Sequence, residues 1–585
     1  MATTTLISNG GTLTISPTGN SNNAAGQTSN RATFGATTLN GDTTFVTQNM
    51  SGTAPVSNLS LGAIKDNGFA TTWFGGGNAT TLPGDSVRLN VVRASAGDQT
   101  GNWVIGNPTG TQGVQVSLGV PAGSSDQALT TGNVTVNPFG QLLIFTAPAA
   151  TFGGSTQTLT INGIGAATTA GTGVTGALRV GFAAATPTTY TFNGNLTVGN
   201  LAPVTTVNVV NANVTLAVGG TFAANGTLQL QGLGGLTLNG PGGGTGGTQI
   251  TGGTLTVNAG SALGTGDLTL MQTGTNNTAL ALNNLAQTVG TLGSTFAATT
   301  GTLTQTITLN GTALTVNQAG TTTFGTGATP TLTSTLTGTG SLTLGAASTG
   351  TLTLTGANTY SGGTTVNAGT LVASGQAIPD SATGTGPVAV SGANAVLAGG
   401  ATGRVGGPIT VGGGGTVAPG AAAAAGGTLT AGGNVTVQNT GKLALRLGSG
   451  GTSDALALDT SGSVLNFVTG SVLALTPLSG STPGYGTYTL VTLPAGTGNN
   501  IQRNGAATSD GDLLGQYVQG AGSTGTVIVQ PSGFTLQPGD TFTFQRSGDN
   551  LVVNFSPAAV VPEPATVGLA AAAGLGLLLR RRRGR

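Results

Sequence analysis

Short runs in which apolar and small polar residues alternate begin almost at the first residue and recur to the end of the chain. Gly11-Thr12-Leu13-Thr14-Ile15 is one; NVTVNP from Asn133, LTLTG from Leu352, NVTVQN from Asn434 and GTVIVQ from Gly525 are others. Such runs are four to six residues long and have period 2, the signature of a half-buried strand. Asn-Gly pairs at Asn162, Asn239 and Asn310 mark turns between them. The pattern predicts an all-β protein of many short strands. Turn signals about 8–12 residues apart suit a β-sandwich as well as a solenoid, so alternation alone leaves both open.

Internal repetition turns the choice. Residues 352–372 read LTLTGANTYSGGTTVNAGTLV, and residues 236–256 read LTLNGPGGGTGGTQITGGTLT. The two align without a gap at an offset of 116 and agree at roughly half of the positions. Shared landmarks are Leu352/Leu236, Leu354/Leu238, Gly356/Gly240, Gly362-Gly363/Gly246-Gly247, Thr364/Thr248 and Leu371/Leu255. The reading is strand, glycine-rich corner, strand, corner, strand. In a solenoid the apolar residues of each short strand stack on those of the next coil and form a narrow continuous core.

Composition supports this and narrows the chemistry. Of 585 residues only 5% are charged, 107 are glycine and 37% are hydrophobic; average soluble proteins carry roughly 25% charged residues and about 7% glycine. Residues that favour helices are scarce, and the apolar content is too high for simple disorder. Without cysteine there are no disulfides or thiolate ligands. Without histidine the commonest general base and metal ligand is missing. The net charge of +1 conceals an asymmetry: residues 1–561 hold 10 basic and 13 acidic side chains. No basic cluster runs along the body, so nucleic acid is not an expected partner. No catalytic residue, metal or cofactor is predicted.

Two carboxylate pairs merit inspection, because glycoside hydrolysis uses two carboxylates about 5–10 Å apart. Asp454 and Asp459 flank ALAL and read as strand-end residues; Asp510-Gly511-Asp512 reads as a turn. The glycine-rich runs Pro241–Gly247 and Gly412–Gly415 lack a following Lys-Ser/Thr and read as corners. Trp73 and Trp103 are the two tryptophans; buried aromatics are expected in preference to a sugar-stacking pair.

The end of the chain is different in kind. Ala565–Leu579 is an apolar run of 15 residues, followed by Arg580, Arg581, Arg582, Arg583 and Arg585. As a helix it would be about 22 Å long, short of the roughly 30 Å hydrocarbon core. Snorkelling arginines and local thinning close part of that gap. The arginines should stay cytoplasmic and leave the β-rich body across the membrane. A core helix would not finish in an arginine cluster. A basic nucleic-acid tail would not need an apolar run before it.

Two resemblances follow from these residues. Leu354, Gly356, Asn358, Tyr360, Gly362, Gly363, Thr364, Val366, Gly369, Thr370 and Leu371 fall on the pattern L-x-G-x-N-x-Y-x-G-G-T-x-I/V-x-x-G-T-L. That stretch resembles the autotransporter-associated β-strand repeat. Residues 236–256 resemble a degenerate copy, with Gly242 and Gly244 at the Asn and Tyr positions, and the stretches from Gly414 and Gly441 are similar too. The resemblance covers residues 190–480. It implies a right-handed parallel β-helix of the passenger type, exported to the cell surface, although no translocator barrel signature of alternating strands follows. Secondly, Val561-Pro562-Glu563-Pro564, the apolar run and the arginines together resemble the PEP-CTERM sorting domain. Glu563 is the sole glutamate of the chain. That resemblance implies export in a Gram-negative bacterium and an exosortase-type membrane enzyme as partner.

The expected organisation is an N-terminal β-rich part (1–189), the repeat region (190–480), a C-terminal β cap (481–556), and the sorting signal with a transmembrane helix (557–585). The expected function is non-enzymatic: a structural or adhesive column at the cell envelope or in the extracellular matrix, serving surface attachment or biofilm and contacting polysaccharide. The alternative is a polysaccharide-processing enzyme on the same fold. MATTTLISNGGTLTIS lacks the basic and apolar segments of a signal peptide, so further sequence before Met1 is expected.

Overall fold

A computed structural model describes residues 6–15, 21–22, 28–34, 36–49, 57–77, 88–93, 99–106, 108, 114–118, 129–144, 151–165, 176–181, 184–272, 276–297, 302–325, 331–376, 379–494 and 500–558. Apart from a single 3-10 turn at Ser449–Gly451, the regular elements among these residues are strands. From residue 129 to about 480 every strand pairing between coils is parallel. The sandwich alternative is therefore set aside: the chain is a parallel β-solenoid.

Each coil visits three faces in a fixed order. The first face carries the strands Val204–Val209, Thr227–Gly232, Thr248–Ile250 and Leu268–Gln272. The second carries Val214–Val218, Gly235–Leu238, Gly253–Val257 and Thr278–Asn283. The third carries Asn195–Val198 and Phe222–Ala224, and later Gln287–Val289 and Ala313–Val316. Residues pair with the equivalent position one coil on. Leu228 lies against Thr248 and Thr248 against Leu268 on the first face; Leu236 lies against Leu255 and Leu255 against Leu280 on the second. Coil length is not constant. It is 19 residues from Leu352 to Leu371 and 30 from Val435 to Leu465.

Alternation does the sorting. Leu216, Leu236, Leu255, Leu280, Ile307 and Leu336 form an inward column on the second face, each wholly buried. Thr237, Thr256, Ala281, Thr308 and Thr337 form the outward row beside it. Burying one such Leu or Ile is worth about 1.5–3 kcal/mol before the entropy of ordering the chain is subtracted. Because a coil touches only its neighbours, stability accumulates coil by coil. The first face runs through twelve strands to Leu292–Phe296 and continues from Thr321–Phe324 through eight more. At about 4.8 Å per strand the column is on the order of 90 Å long.

The two ends use aromatic side chains. Near the N-terminal end, on the third face, Phe45 stacks on Trp73 with ring centroids 4.6 Å apart, and Trp73 meets Trp103 edge-on at 6.0 Å. Both tryptophans are 1% exposed, so they are core residues and present no sugar-stacking surface. Near the other end the pairing turns antiparallel: Gly486–Thr492, Asn550–Ser556, Thr541–Ser547, Leu513–Val518 and Gly522–Gly525 are successive neighbours. Phe542 stacks on Phe555 at 4.4 Å, and Phe544 meets Phe467 of the column edge-on at 5.6 Å. Pairing within this sheet closes strand edges that would otherwise invite association.

Among the described residues no helix is long and apolar enough to cross a membrane. The apolar run Ala565–Leu579, the Val561–Pro564 motif and Arg580, Arg581, Arg582, Arg583 and Arg585 lie outside the described residues.

Candidate functional site

The repeat stretch 352–371 is one complete coil. It starts on the first-face strand Thr351–Leu354, crosses the second face, forms the third-face strand Thr364–Val366, and returns to the first face as Gly369–Ala373. The pattern predicts a glycine-rich corner for the residues between the strands Thr351–Leu354 and Thr364–Val366. They are more than that: the Thr359 and Ser361 N–H groups donate to the Leu336 and Gly338 carbonyls of the second-face strand Leu332–Gly338, so the stretch lies across that face although it is not a regular strand.

Two side chains make this possible. Asn358 is buried and ties three coils together: the Leu336 N–H donates to Asn358 Oδ1 (2.7 Å), Asn358 Nδ2 donates to the Ala382 carbonyl (2.6 Å), and the Asn358 N–H donates to the Ser381 carbonyl (2.8 Å). An amide side chain thus supplies bonds that a regular ladder would make with backbone alone. Tyr360 is wholly buried, and its hydroxyl lies 2.6 Å from Thr364 Oγ1. Burial raises the phenol above its ordinary value of 10, against a smaller opposing effect of the bond to Thr364.

The glycines of the motif mark where coils touch. A β-carbon on Gly356 would run into the Ser334 carbonyl, and one on Gly362 into Gly340. Gly363 combines a left-handed φ of +89° with the Pro387 carbonyl on its open side, so glycine is required there. Leu371 is a core residue, and Gly369 makes the tight entry to its strand. These eight positions, Gly356, Asn358, Tyr360, Gly362, Gly363, Thr364, Gly369 and Leu371, fall within one coil and its contacts with the coils on either side.

The carboxylates are occupied by structural partners. Asp454 is buried, takes Arg446 Nε at 2.7 Å, and accepts the Gly427 and Arg446 backbone N–H groups. Asp459 pairs with Arg404 at 2.7 Å, and Arg404 also donates to the Pro379 and Asp380 carbonyls. Asp510 accepts the Gly548 N–H at 2.7 Å and Asp512 the Ser509 N–H at 2.7 Å, as turn residues do. Among the described residues no group of three or more His, Cys, Asp or Glu side chains converges for a metal. Sequence reasoning missed the Arg404–Asp459 and Arg446–Asp454 pairs. Arg404 and Asp459 are 55 residues apart, and only the coil registers bring them together.

A column of stacked coils with threonine-rich outward rows and a structural repeat motif defines a repeat protein of the parallel β-solenoid class. Residues 347–373 match the family model of the passenger-associated-transport-repeat, and residues 560–583 match the PEP-CTERM protein-sorting motif. No curated protein and no solved structure matches the chain. Together the two matches mark an exported, surface-associated β-solenoid protein. The repeat match covers one coil; the stretches at 236–256 and from Gly414 and Gly441 lie outside it.

Proposed function

We propose that the chain is carried across the cytoplasmic membrane, held there by the helix 565–579 with its arginines inside, and processed at Val561-Pro562-Glu563-Pro564 by an exosortase-type membrane enzyme. What remains outside is a non-enzymatic column, right-handed as connections between parallel strands nearly always are. It serves as a structural or adhesive element in surface attachment or biofilm. Its parts are an N-terminal stretch (1–189), the repeat region (190–480), a cap (481–556) and the sorting tail (557–585).

The observation that carries this reading is the PEP-CTERM match at 560–583, which starts four residues after the last cap strand ends at Ser556. The column and its delivery signal are consecutive, with no further folded unit between them. Prolines on both sides of Glu563 favour an extended, accessible site. Contact with polysaccharide or neighbouring cells would be spread along the rows of threonine and asparagine, so that weak contacts add. The enzyme alternative loses support because its candidate carboxylates are engaged by arginines and backbone N–H groups.

Mass spectrometry of the surface and secreted forms tests the proposal. A C-terminus within residues 561–564 is the expected result. Recovery of the mature protein with Arg585 intact would overturn processing.

A further inference from the structure

One hollow in the column has the makings of a ligand site. Where the third face turns into the first, a groove of ≈ 540 Å³ opens between residues 200 and 269, within the range of small-ligand sites. Its origin lies in the connections. Five residues, 199–203, join the strands Asn195–Val198 and Val204–Val209, whereas two, Asn225-Gly226, join Phe222–Ala224 and Thr227–Gly232. The wall therefore steps inward beneath the 199–203 overhang.

The floor is bare backbone of necessity. A β-carbon on Gly226 would strike the Gly199 carbonyl, one on Gly246 the Gly226 carbonyl, and one on Gly266 the Gly246 backbone. Along the floor stand Asn200, Asn225, Thr245, Gln249, Asp267 and Thr269. Among the described residues, the side chains of Asn200, Asn225, Thr245 and Thr269 make no hydrogen bond to the protein. Gln249 accepts from Gln229 at 3.4 Å, which leaves its NH₂ group to donate. Asp267 Oδ1 accepts the Thr291 N–H at 2.9 Å, leaving Oδ2.

The chemistry of this lining selects its ligand. It offers amide and hydroxyl donors and acceptors in quantity, with one charge, a carboxylate, and no lysine or arginine. A phosphate or uronate would face Asp267 without a cation to offset it. An apolar chain would meet only Ala202 and Pro203. One carboxylate is too few for a hard cation, which takes six or more oxygens. Sugar hydroxyls both donate and accept, and so can satisfy the amides and Asp267 Oδ2 together.

We infer that this groove binds a segment of a neutral polysaccharide, laid along the column axis over the glycine floor. The inference rests on the reading of the chain as an exported column, which brings the groove to glycans outside the cell.

Affinity electrophoresis of the full-length chain through gels containing dextran, laminarin or polygalacturonate tests it. At least one of the two neutral glucans should retard the protein, and polygalacturonate should not. The triple variant Asn225→Ala, Gln249→Ala, Asp267→Asn changes only corner and outward-facing positions, and should lose retardation at least about tenfold, as expected when several hydrogen bonds including one to a charged group are removed. Thr308→Val on the second face should migrate like the parent, and a parent-like far-ultraviolet circular dichroism spectrum and thermal transition of the triple variant show that its column still folds. No retardation by either glucan, preference for polygalacturonate, or a triple variant that binds as well as the parent overturns the inference. A protein displayed on the surface and processed as above, yet indifferent to both glucans, would defeat the groove while leaving the proposed function standing.

Discussion

The coils 236–255 and 352–371 have the same length, 19 residues, and the same leucine and glycine landmarks, but they are built differently inside. The second fills its glycine-rich stretch with Asn358 and Tyr360. The first has Gly242 and Gly244 at those positions, and its neighbours close in: the Gly246 N–H bonds the Ala224 carbonyl at 2.7 Å and the Thr265 N–H bonds the Gly244 carbonyl at 3.0 Å. One coil is held by side chains inserted into the ladder, the other by backbone packed on backbone. They also stand on different faces. From Leu236 on the second face, pairing leads through Leu255, Leu280 and Ile307 to Leu336, and the chain crosses the third face at Leu342 before reaching Leu352 on the first. The offset of 116 residues is thus not a whole number of turns. The motif encodes a coil and is indifferent to which face it starts on.

The largest test of this contrast restores the family residue where it is missing. Gly244→Tyr looks like a return to the repeat pattern, and on sequence grounds it should stabilise. In the structure Gly244 has φ +115°, and a β-carbon there would collide with the Ala224 carbonyl. A bulky residue in that region of φ is a strained outlier. We expect a loss of about 4–5 kcal/mol, the range reserved for severe backbone conflict, seen as rapid amide exchange over residues 220–265. A variant as stable as the parent would show that the two coils are interchangeable after all.

The next effect is smaller and opposite in origin. Asn358→Ala removes the acceptor of the Leu336 N–H and the donor to the Ala382 carbonyl, leaving two buried backbone groups unpaired. At about 1–2 kcal/mol each, the lower part of the range for an unpaired buried group, the expected cost is about 2–4 kcal/mol. Hydrogen exchange should locate it at Leu336 and at residues 381–383. Coils more than one step away should be unaffected, since each coil couples to its neighbours alone.

How far the sequence disclosed these arrangements can be traced residue by residue. The inward leucines and outward threonines were legible because period 2 reports directly which face of a strand is buried. That 236–256 and 352–372 are copies of one strand–corner–strand unit was legible from the matched landmarks. The second face at 356–361 was not, because its stretch GANTYS does not alternate; Asn358 bridges coils there in place of a regular strand. Nor were the buried glutamines. Gln287, Gln305 and Gln318 are at most 2% exposed, yet alternation reads a glutamine as outward. Gln287 and Gln318 are buried because a corner leaves backbone groups unmet: Gln318 accepts the Leu292 N–H and donates to the Gly320 carbonyl, and Gln287 donates to the Ala259 carbonyl; Gln305 accepts the Ser334 hydroxyl and donates to the Thr295 carbonyl. The groove, likewise, depends on the difference between two connection lengths and only takes shape once coils are stacked.

The smallest effect at neutral pH is also the one that separates burial from bonding within the side-chain-filled coil. Tyr360→Phe keeps the ring and deletes the hydroxyl that meets Thr364 Oγ1. Thr364 retains the Thr383 carbonyl at 3.5 Å, so the cost near pH 7 should be about 1 kcal/mol. Above pH 10 the sign turns. In the unfolded chain the phenol ionises near its ordinary value of about 10, whereas in the coil burial holds it neutral to higher pH. The stability contributed by keeping it neutral is complete below about pH 10 and is lost as the pH rises towards the folded value. Each further unit costs the parent about 1.4 kcal/mol that the phenylalanine variant does not lose. Stability curves of the two proteins should therefore approach above pH 10 and cross near about pH 11. Contributions from Tyr485 and Tyr488, which burial also raises, cancel in the difference. Curves that stay parallel to pH 12 would mean that Tyr360 ionises as freely in the column as in the unfolded chain, and the side-chain-filled coil would then be as open as its glycine counterpart is closed.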